Sequence, residues 1–306
     1  MPRFSIIIPF HAAADTIGST LEGLLAQTFG DWEAICVNDR TPDNSAEIVA
    51  SFAAADPRIS LVHSPAPGPS AARNHGAKLA QAGLLAFCDA DDLWEPSKLA
   101  QLDKAFADPE ISGLFGQIEF FTNVPGDGRA RSTVPQGALS IPALLAENPV
   151  CTMSNLTLRR QAFLKVGGLD PAAVHNEDLE LLIRMVGEGY RIEGLDHLQL
   201  WYRTAPNGLS SNLAAMKQGR DHALRTAAAY GVRSTPEAEA VYMRYLARRA
   251  LRLDSDLGEA RAYAMAGLRE SPRAFLLPAR RGVATAFAVA VAPLLSRRVR
   301  HALFAH

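Results

Sequence analysis

Between residues 4 and 88, short runs of apolar and β-branched residues alternate with longer segments whose apolar residues recur at helical spacing, and no other feature restricts the fold as much. Residues 4–8 form the first run, which Pro9 halts, and Ile17, Leu21, Leu24 and Leu25 then define one face of a helix within 15–29. Residues 32–37 repeat the strand pattern, the turn-rich stretch 38–44 follows, and a helix is expected over 45–54. A third run at 59–62 leads through Pro65, Pro67, Gly68 and Pro69 into an Ala-rich helix over 70–82 and then the apolar run 84–88. Strands alternating with helices of this length predict an α/β protein on a mostly parallel sheet covered on both faces, with its ligand at the carboxyl ends of the strands.

The alternation weakens after Leu102. Residues 113–121 read as extended, 124–134 as a polar loop containing Gly126, Asp127 and Gly128, and 155–158 as a strand. Helices over 160–166 and 178–188 flank the break at Gly167 and Gly168, and a strand is expected over 190–195. From Leu213 onward the chain reads as helical, with Tyr242, Tyr245, Leu246, Ala250 and Leu253 forming an apolar stripe flanked by Arg249. The expected division is a domain over 1–211 and a helical extension over 212–306.

Composition narrows the function classes. Thirty-one basic and 32 acidic residues leave a net charge of -1, so no global positive field recommends nucleic acid as a partner. Cys36, Cys88 and Cys151 form no CxxC pair, which argues against a disulfide framework or zinc knuckle and fits a reducing, cytoplasmic compartment. The amino-terminal apolar run is short and lacks a small-residue cleavage site, so it reads as a first strand rather than a signal peptide.

Chemistry enters at Asp89-Ala90-Asp91-Asp92, directly after the apolar run 84–88. Asp89 and Asp91, two apart at a strand's carboxyl end, are hard oxygen donors suited to Mg²⁺ or Mn²⁺ bound together with substrate phosphates. Taken alone, the same residues also describe a solvated turn whose acids cap the helix after Trp94-Glu95-Pro96.

The surrounding motifs resemble family 2 glycosyltransferases over residues 4–211. The opening Ser5-Ile6-Ile7-Ile8-Pro9, the helix end Gln27-Thr28-Phe29, the acidic turn at Asn38-Asp39 and Asp43, and Gly68-Pro69-Ser70-Ala71-Ala72-Arg73-Asn74-His75-Gly76 all match in order. They are followed by residues 87–93, which resemble the family's metal motif, and by Arg160, Phe163, Gly167-Gly168-Leu169-Asp170 and Glu177-Asp178. The resemblance implies the GT-A fold, a Rossmann-like mostly parallel sheet flanked by helices, and inverting transfer from a nucleotide-sugar.

On that resemblance, Pro9, His11, Asp39, Arg73 and Asp89 are expected to bind the donor. Asp39 would accept the imide N–H of a uracil ring, a donor that an apolar side chain leaves unsatisfied. Asp89 and Asp91 would hold Mg²⁺ or Mn²⁺, with Asp92 supporting them. Asp178 would be the general base, and Glu177 and His175 are expected near the acceptor, a glycan or lipid-linked saccharide; one of the two acids also suits capping of the helix that starts there. The chain departs from the family where His11-Ala12 replaces Tyr-Asn and Asn38-Asp39-Arg40 replaces Asp-Asp-Gly. It also lacks the QxxRW signature of processive synthases, which points to one sugar per encounter. The rivals are a metal-dependent nucleotidyltransferase, whose Gly-rich basic signature is missing at His11-Ala12-Ala13-Ala14, and a degenerate glycan-binding domain, opposed by retention of Asp89, Asp91 and Asp178.

Residues 283–295 form an uncharged Ala- and Val-rich run of 13 residues, short of the ~20 that span a bilayer. Arg273, Arg280 and Arg281 precede it and Arg297, Arg298, Arg300 and His301 follow. This pattern suits a peripheral anchor on an anionic cytoplasmic leaflet, and equally a helix packed on the catalytic domain with a solvated basic end.

Overall fold

The computed structural model describes residues 1–128, 131–173, 175–204, 212–253 and 257–304. The expected domain limit at 211 lies outside them, as do residues 129 and 130 of the expected polar loop and residue 174. The chain divides into two compact units, one formed by Met1–Leu139 with Pro149–Thr204, the other by Ser140–Asn148 with Ala205–His306.

In the first unit, β1 (Phe4–Phe10), β2 (Trp32–Asn38), β3 (Ile59–His63) and β4 (Leu84–Phe87) are joined through α1 (Ile17–Leu25), α2 (Ser45–Ala55) and α3 (Pro69–Leu79). They pair in parallel in the order β3-β2-β1-β4. Every residue of β1 and β4 is buried, because helices cover both faces and leave no solvent side for an alternating pattern. The edge strand β3 buries only Ile59. One face of the sheet carries the main core, with Ile6, Ile8, Cys36, Leu84 and Ala86 packed together with Leu21 and Leu24 of α1.

Pro9 does not end β1. The Ile7 carbonyl accepts the Cys88 N–H, so by the two-residue alternation Pro9 faces the same side. β4 has left the ladder at Phe87, and the missing proline N–H has no strand partner to lose there. α3 lies close on β1 and β2 at Gly76, where a Cβ would come within 2.6 Å of Ile7 Cγ2 and 3.1 Å of Val37 Cγ2.

The chain continues through β5 (Leu93–Trp94), α4 (Lys98–Ala105) and β6 (Ile111–Phe121), and α5 (Ile141–Ala146) then joins the second unit. It returns as a 3₁₀ turn at Met153–Asn155, β7 (Thr157–Arg159), α6 (Arg160–Lys165), α7 (Glu177–Gly187) and β8 (Arg191–Arg203). These strands extend the sheet in the order β4-β7-β6-β8-β5, with β7 antiparallel to both neighbours and β6 parallel to β8. The sheet is therefore parallel through β4 and mixed beyond it. β8 runs well past residue 195 because its second half pairs with both β6 and β5.

The second unit is helical: α8 (Leu213–Ala229), α9 (Pro236–Leu253), α10 (Leu257–Glu270), α11 (Pro272–Leu276), α12 (Ala279–Val291) and α13 (Arg297–Phe304) join α5. α9 is its central member and touches α5, α10, α11, α12 and α13. Tyr242, Leu246 and Ala250 are buried on it, with Tyr245 and Leu253 packed against them. The guanidinium of Arg220 lies 3.8 Å from the Tyr242 ring centroid and donates to the Leu145 carbonyl and to Glu239. Arg244, also buried, donates to the carbonyls of Ala274, Phe275 and Leu277 and so caps α11. Among the described residues, no helix is long and apolar enough to cross a membrane.

Candidate active site

The carboxyl ends of β1, β2 and β4 are adjacent in the sheet, and the loops leaving them carry the expected residues. Two non-glycine residues adopt left-handed backbone there, Ala12 at φ 49° and Arg40 at φ 56°. Asn and Gly, the family's residues at these positions, occupy that region at the least steric cost. Here hydrogen bonds hold it: the N–H groups of Ala12, Ala13 and Ala14 donate to Thr41 Oγ1, Ser45 Oγ and Asp43 Oδ2 at 2.8, 2.9 and 3.0 Å. Hydroxyl groups of Ser45 and Thr41 also donate to Asp43 and depress its carboxyl strongly below the usual range.

Pro9 is buried in β1, and exposed His11 donates through Nδ1 to the Asp39 carbonyl at 2.8 Å, linking the ends of β1 and β2. Asp39 Oδ2 accepts the N–H of Gly68 at 2.8 Å, where a φ of 100° at the start of α3 suits glycine. Asp39 Oδ1 is buried with no hydrogen-bond partner among the described residues. A buried acceptor of this kind is suited to an N–H or O–H donor from a bound ligand.

Asp89 stands two residues past the end of β4. Its Oδ1 accepts Arg73 Nη2 at 2.6 Å, its Oδ2 accepts the Thr152 hydroxyl at 2.9 Å, and its N–H donates to Ser154 Oγ at 3.0 Å. Arg73, on α3 and buried, also donates through Nη1 to Glu177 Oε1 at 3.1 Å. One guanidinium thus ties the acid loop after β4 to the first residue of α7. Asp178 is the next residue, buried, with Oδ1 accepting the Leu179 N–H at 2.8 Å. His175 lies half-buried two residues before Glu177.

The rest of the acid loop is anchored from both sides. The Thr20 hydroxyl lies 3.0 Å from the carbonyls of Ala90 and Asp92, and Arg203 donates through Nε to the Asp91 carbonyl and through its N–H to Asp92 Oδ1. Burial, reinforced by the charge of Asp89, pushes the Asp91 carboxyl up to about 6. Burial and the charges of Asp91 and Asp89 hold the Asp92 carboxyl well above its usual range. Glu177 is pushed up to about 7, chiefly by burial and against the pull of Arg73. The carboxylates of Asp89 and Asp91 are hard oxygen donors of the kind that suit Mg²⁺ or Mn²⁺. Among the described residues no group of three or more His, Cys, Asp or Glu side chains is arranged to hold a metal by itself. Asp89 and Asp91 would therefore hold such an ion only with substrate oxygens in the remaining positions.

Several further residues support the site. Asn74 donates to the Leu169 carbonyl at 2.7 Å and accepts the Leu169 N–H at 2.8 Å, while Arg184, paired with Glu180, donates to the Val166 and Gly168 carbonyls. The Gly167-Gly168 turn is thus clamped between Asn74 of α3 and Arg184 in the last turn of α7. Lys98 is fully buried, donates to the Ser154 carbonyl at 2.9 Å and lies 4.0 Å from the Trp94 ring centroid. Asn74 stands inside a quoted motif beside Arg73. Thr152, Ser154 and Lys98 are ordinary polar residues until the fold brings them under the acid loop.

Residues 5–167, more than half of the chain, match the family model described as glycosyl transferase family 2. The chain belongs to this family. This glycosyltransferase is 29% identical over 218 residues to the uncharacterized glycosyltransferase EpsJ of Bacillus subtilis, covering 69% of this chain and 63% of EpsJ. It is 34% identical over 120 residues to the UDP-Glc:alpha-D-GlcNAc-diphosphoundecaprenol beta-1,3-glucosyltransferase WfgD of Escherichia coli, covering 39% of this chain and 47% of WfgD. The matches thus span less than two thirds of either relative. Among solved structures, the mannosyltransferase PcManGT of Pyrobaculum calidifontis in complex with GDP-Man and Mn²⁺ has a TM-score of 0.60 at 20% identity, covering 95% of this chain and 81% of that one. S. aureus TarS in complex with UDP-GlcNAc has a TM-score of 0.57 at 18% identity, covering 88% and 72%. These likenesses establish the GT-A fold for the glycosyltransferase.

Proposed function

We propose that the glycosyltransferase moves one sugar at a time, with inversion, from a UDP-sugar to a glycan or lipid-linked saccharide acceptor in cell-surface or exopolysaccharide assembly. The observation that carries this reading is the Arg73 bridge, which holds the acid loop after β4 against the start of α7, where Asp178 lies. The unpartnered Asp39 Oδ1 supports uridine as the base, and WfgD, a relative named for a UDP-Glc donor and a diphosphoundecaprenol-linked acceptor, supports the substrate class.

In this reading Asp39 accepts the uracil imide proton, while Pro9 and His11 border the base. Arg73 orients Asp89 and adds positive charge beside the phosphates. Mg²⁺ or Mn²⁺, held by Asp89 and Asp91 with the diphosphate, would neutralise the charge that develops on the departing UDP. Asp178 takes the proton of the acceptor hydroxyl as its oxygen attacks the anomeric carbon from the side opposite the diphosphate, which inverts that centre. Glu177 and His175 border the acceptor. The enzyme would work at the cytoplasmic face of an anionic membrane, where a lipid-linked acceptor resides.

The test uses the full chain with UDP, a panel of UDP-sugars and Mn²⁺. UDP is expected to raise the unfolding temperature in the presence of Mn²⁺, and one UDP-sugar to do so more than the others. Asp178→Asn is expected to keep that protection while losing at least about a hundredfold in sugar transfer to a lipid-linked saccharide extract. Normal turnover by the variant would remove Asp178 from the role of base, and protection by GDP in place of UDP would overturn the donor.

A further inference from the structure

The second unit presents an outward face that a solvated helix does not carry. From Gly282 to Ser296 the chain has no charged residue, and residues 271–306 hold six arginines and no Asp or Glu in a protein of net charge -1. One face of α12 is packed: Gly282 and Thr285 are buried, and a Cβ at Gly282 would strike the Phe275 carbonyl oxygen at 2.2 Å. The opposite face carries Val283 and Phe287, 50% and 67% exposed; beyond the end of α12, Leu294 is 84% exposed, and Leu303 on α13 is 60% exposed. Arg280 and Arg298, both exposed, stand at the two ends of this apolar stretch. Isolated exposed apolar residues are ordinary, but a folded helix whose open face is apolar and whose ends are cationic has the make-up of an interfacial membrane helix.

We infer that α12 and α13 form a preformed docking face for an anionic phospholipid bilayer, with Phe287 and Leu294 entering the headgroup boundary and Arg280 and Arg298 pairing with lipid phosphates. The inference rests on the reading that the enzyme uses a lipid-linked acceptor, and it assigns the surface that brings the chain to that acceptor. Charge selects this occupant. A two-fold contact between copies would set the arginine rims of the same patch against each other, whereas an anionic leaflet supplies the missing negative charge. The uncharged stretch is also too short to cross the bilayer, which requires ~20 apolar residues, so the helix lies on the surface.

Flotation of the full chain with vesicles of phosphatidylcholine alone or with 30 mole per cent phosphatidylglycerol, roughly the charge density of an anionic leaflet, tests the assignment. Binding is expected only to the anionic vesicles and is expected to weaken with salt. Arg280→Ser with Arg298→Ser should lower the partition coefficient about thirtyfold, from roughly fivefold for each arginine. Phe287→Glu should lower it at least about tenfold. UDP binding in the presence of Mn²⁺, measured by calorimetry on each variant, is expected to be unchanged, which certifies the fold. Equal partition of wild type and variants, or absence of binding to anionic vesicles, overturns the docking face while leaving the catalytic reading intact. Loss of a concentration-dependent dimer in Phe287→Glu, with no vesicle binding by wild type, assigns the face to a second copy and overturns the membrane. Vesicle binding without any UDP binding by wild type refutes the catalytic reading alone.

Discussion

Arg73 offers the most demanding test of how the site is built. Its side chain is 6% exposed and bridges Asp89 at 2.6 Å and Glu177 at 3.1 Å, whose side chains are 24% and 16% exposed. Arg73→Met keeps much of the buried stem and removes the only cation in that bridge. The carboxyl groups of Asp89 and Glu177 then lose their shared cation, and breaking a buried ion pair from one side costs about 3–5 kcal/mol. The partial exposure of Asp89 lets water screen part of the charge, so the lower end applies, about 3 kcal/mol. For a unit of this size that corresponds to a fall of about 6–12 °C in Tm. Arg73→Lys retains the charge, but a single ammonium lacks the planar fork that reaches both acids, and one charge-assisted bond is expected to go, about 1.5–3 kcal/mol. Urea unfolding followed by tryptophan fluorescence measures both variants. A loss under 1 kcal/mol for Arg73→Met, or a lysine variant as stable as wild type, would refute the idea that this bridge is a desolvated structural tie.

Three other outcomes check separate parts of the structure. Asp91→Ala should lower UDP affinity in the presence of Mn²⁺ by at least about tenfold, and calorimetry giving equal affinity with and without the metal would count against the metal site. Gly76→Val should cost about 3 kcal/mol in unfolding free energy, because α3 must lift from Ile7 and Val37; an unchanged Tm would mean the helix yields freely. Lys98 gives a pH signature: burial pulls its ammonium from 10.5 down to about 7. Between those values the unfolded chain holds a proton that the folded chain lacks, so the lysine's contribution makes stability rise with pH; its penalty is complete below pH 7 and relieved toward 10.5. The stability of wild type minus that of Lys98→Met should climb between pH 7 and 9 in urea titrations, by up to about 1.4 kcal/mol per unit. A flat difference would show that Lys98 does not titrate there.

The α/β character, the strands through β4 and the helices between them were legible because each is a local pattern: apolar runs for strands buried on both faces, helical spacing for their covers. The acid loop, Arg73 and the Glu177-Asp178 pair were legible through their resemblance to the motifs of family 2 glycosyltransferases, since taken singly such residues also describe a solvated turn, a surface arginine and a helix cap. Pro9 shows where local reading stops, because whether a proline ends a strand depends on which neighbour its nitrogen faces. The parallel pairing of β6 with β8, the antiparallel insertion of β7 between β4 and β6, and the transfer of Ser140–Asn148 to the helical unit are pairings between distant segments, for which the sequence offers no register.

By itself the sequence determined a mostly parallel α/β sheet with carboxylates at a strand end, because burial and backbone chemistry act residue by residue. Only the tertiary structure decided what those carboxylates touch. Arg73 meets Glu177 across 104 residues, Thr152 orients Asp89 across 63, and Lys98 closes the underside of the loop through Ser154 across 56. It also decided that the uncharged run near the end of the chain is half packed and half open. Charge pairing and exposure are properties of neighbours in space, and those neighbours exist only once the chain has folded.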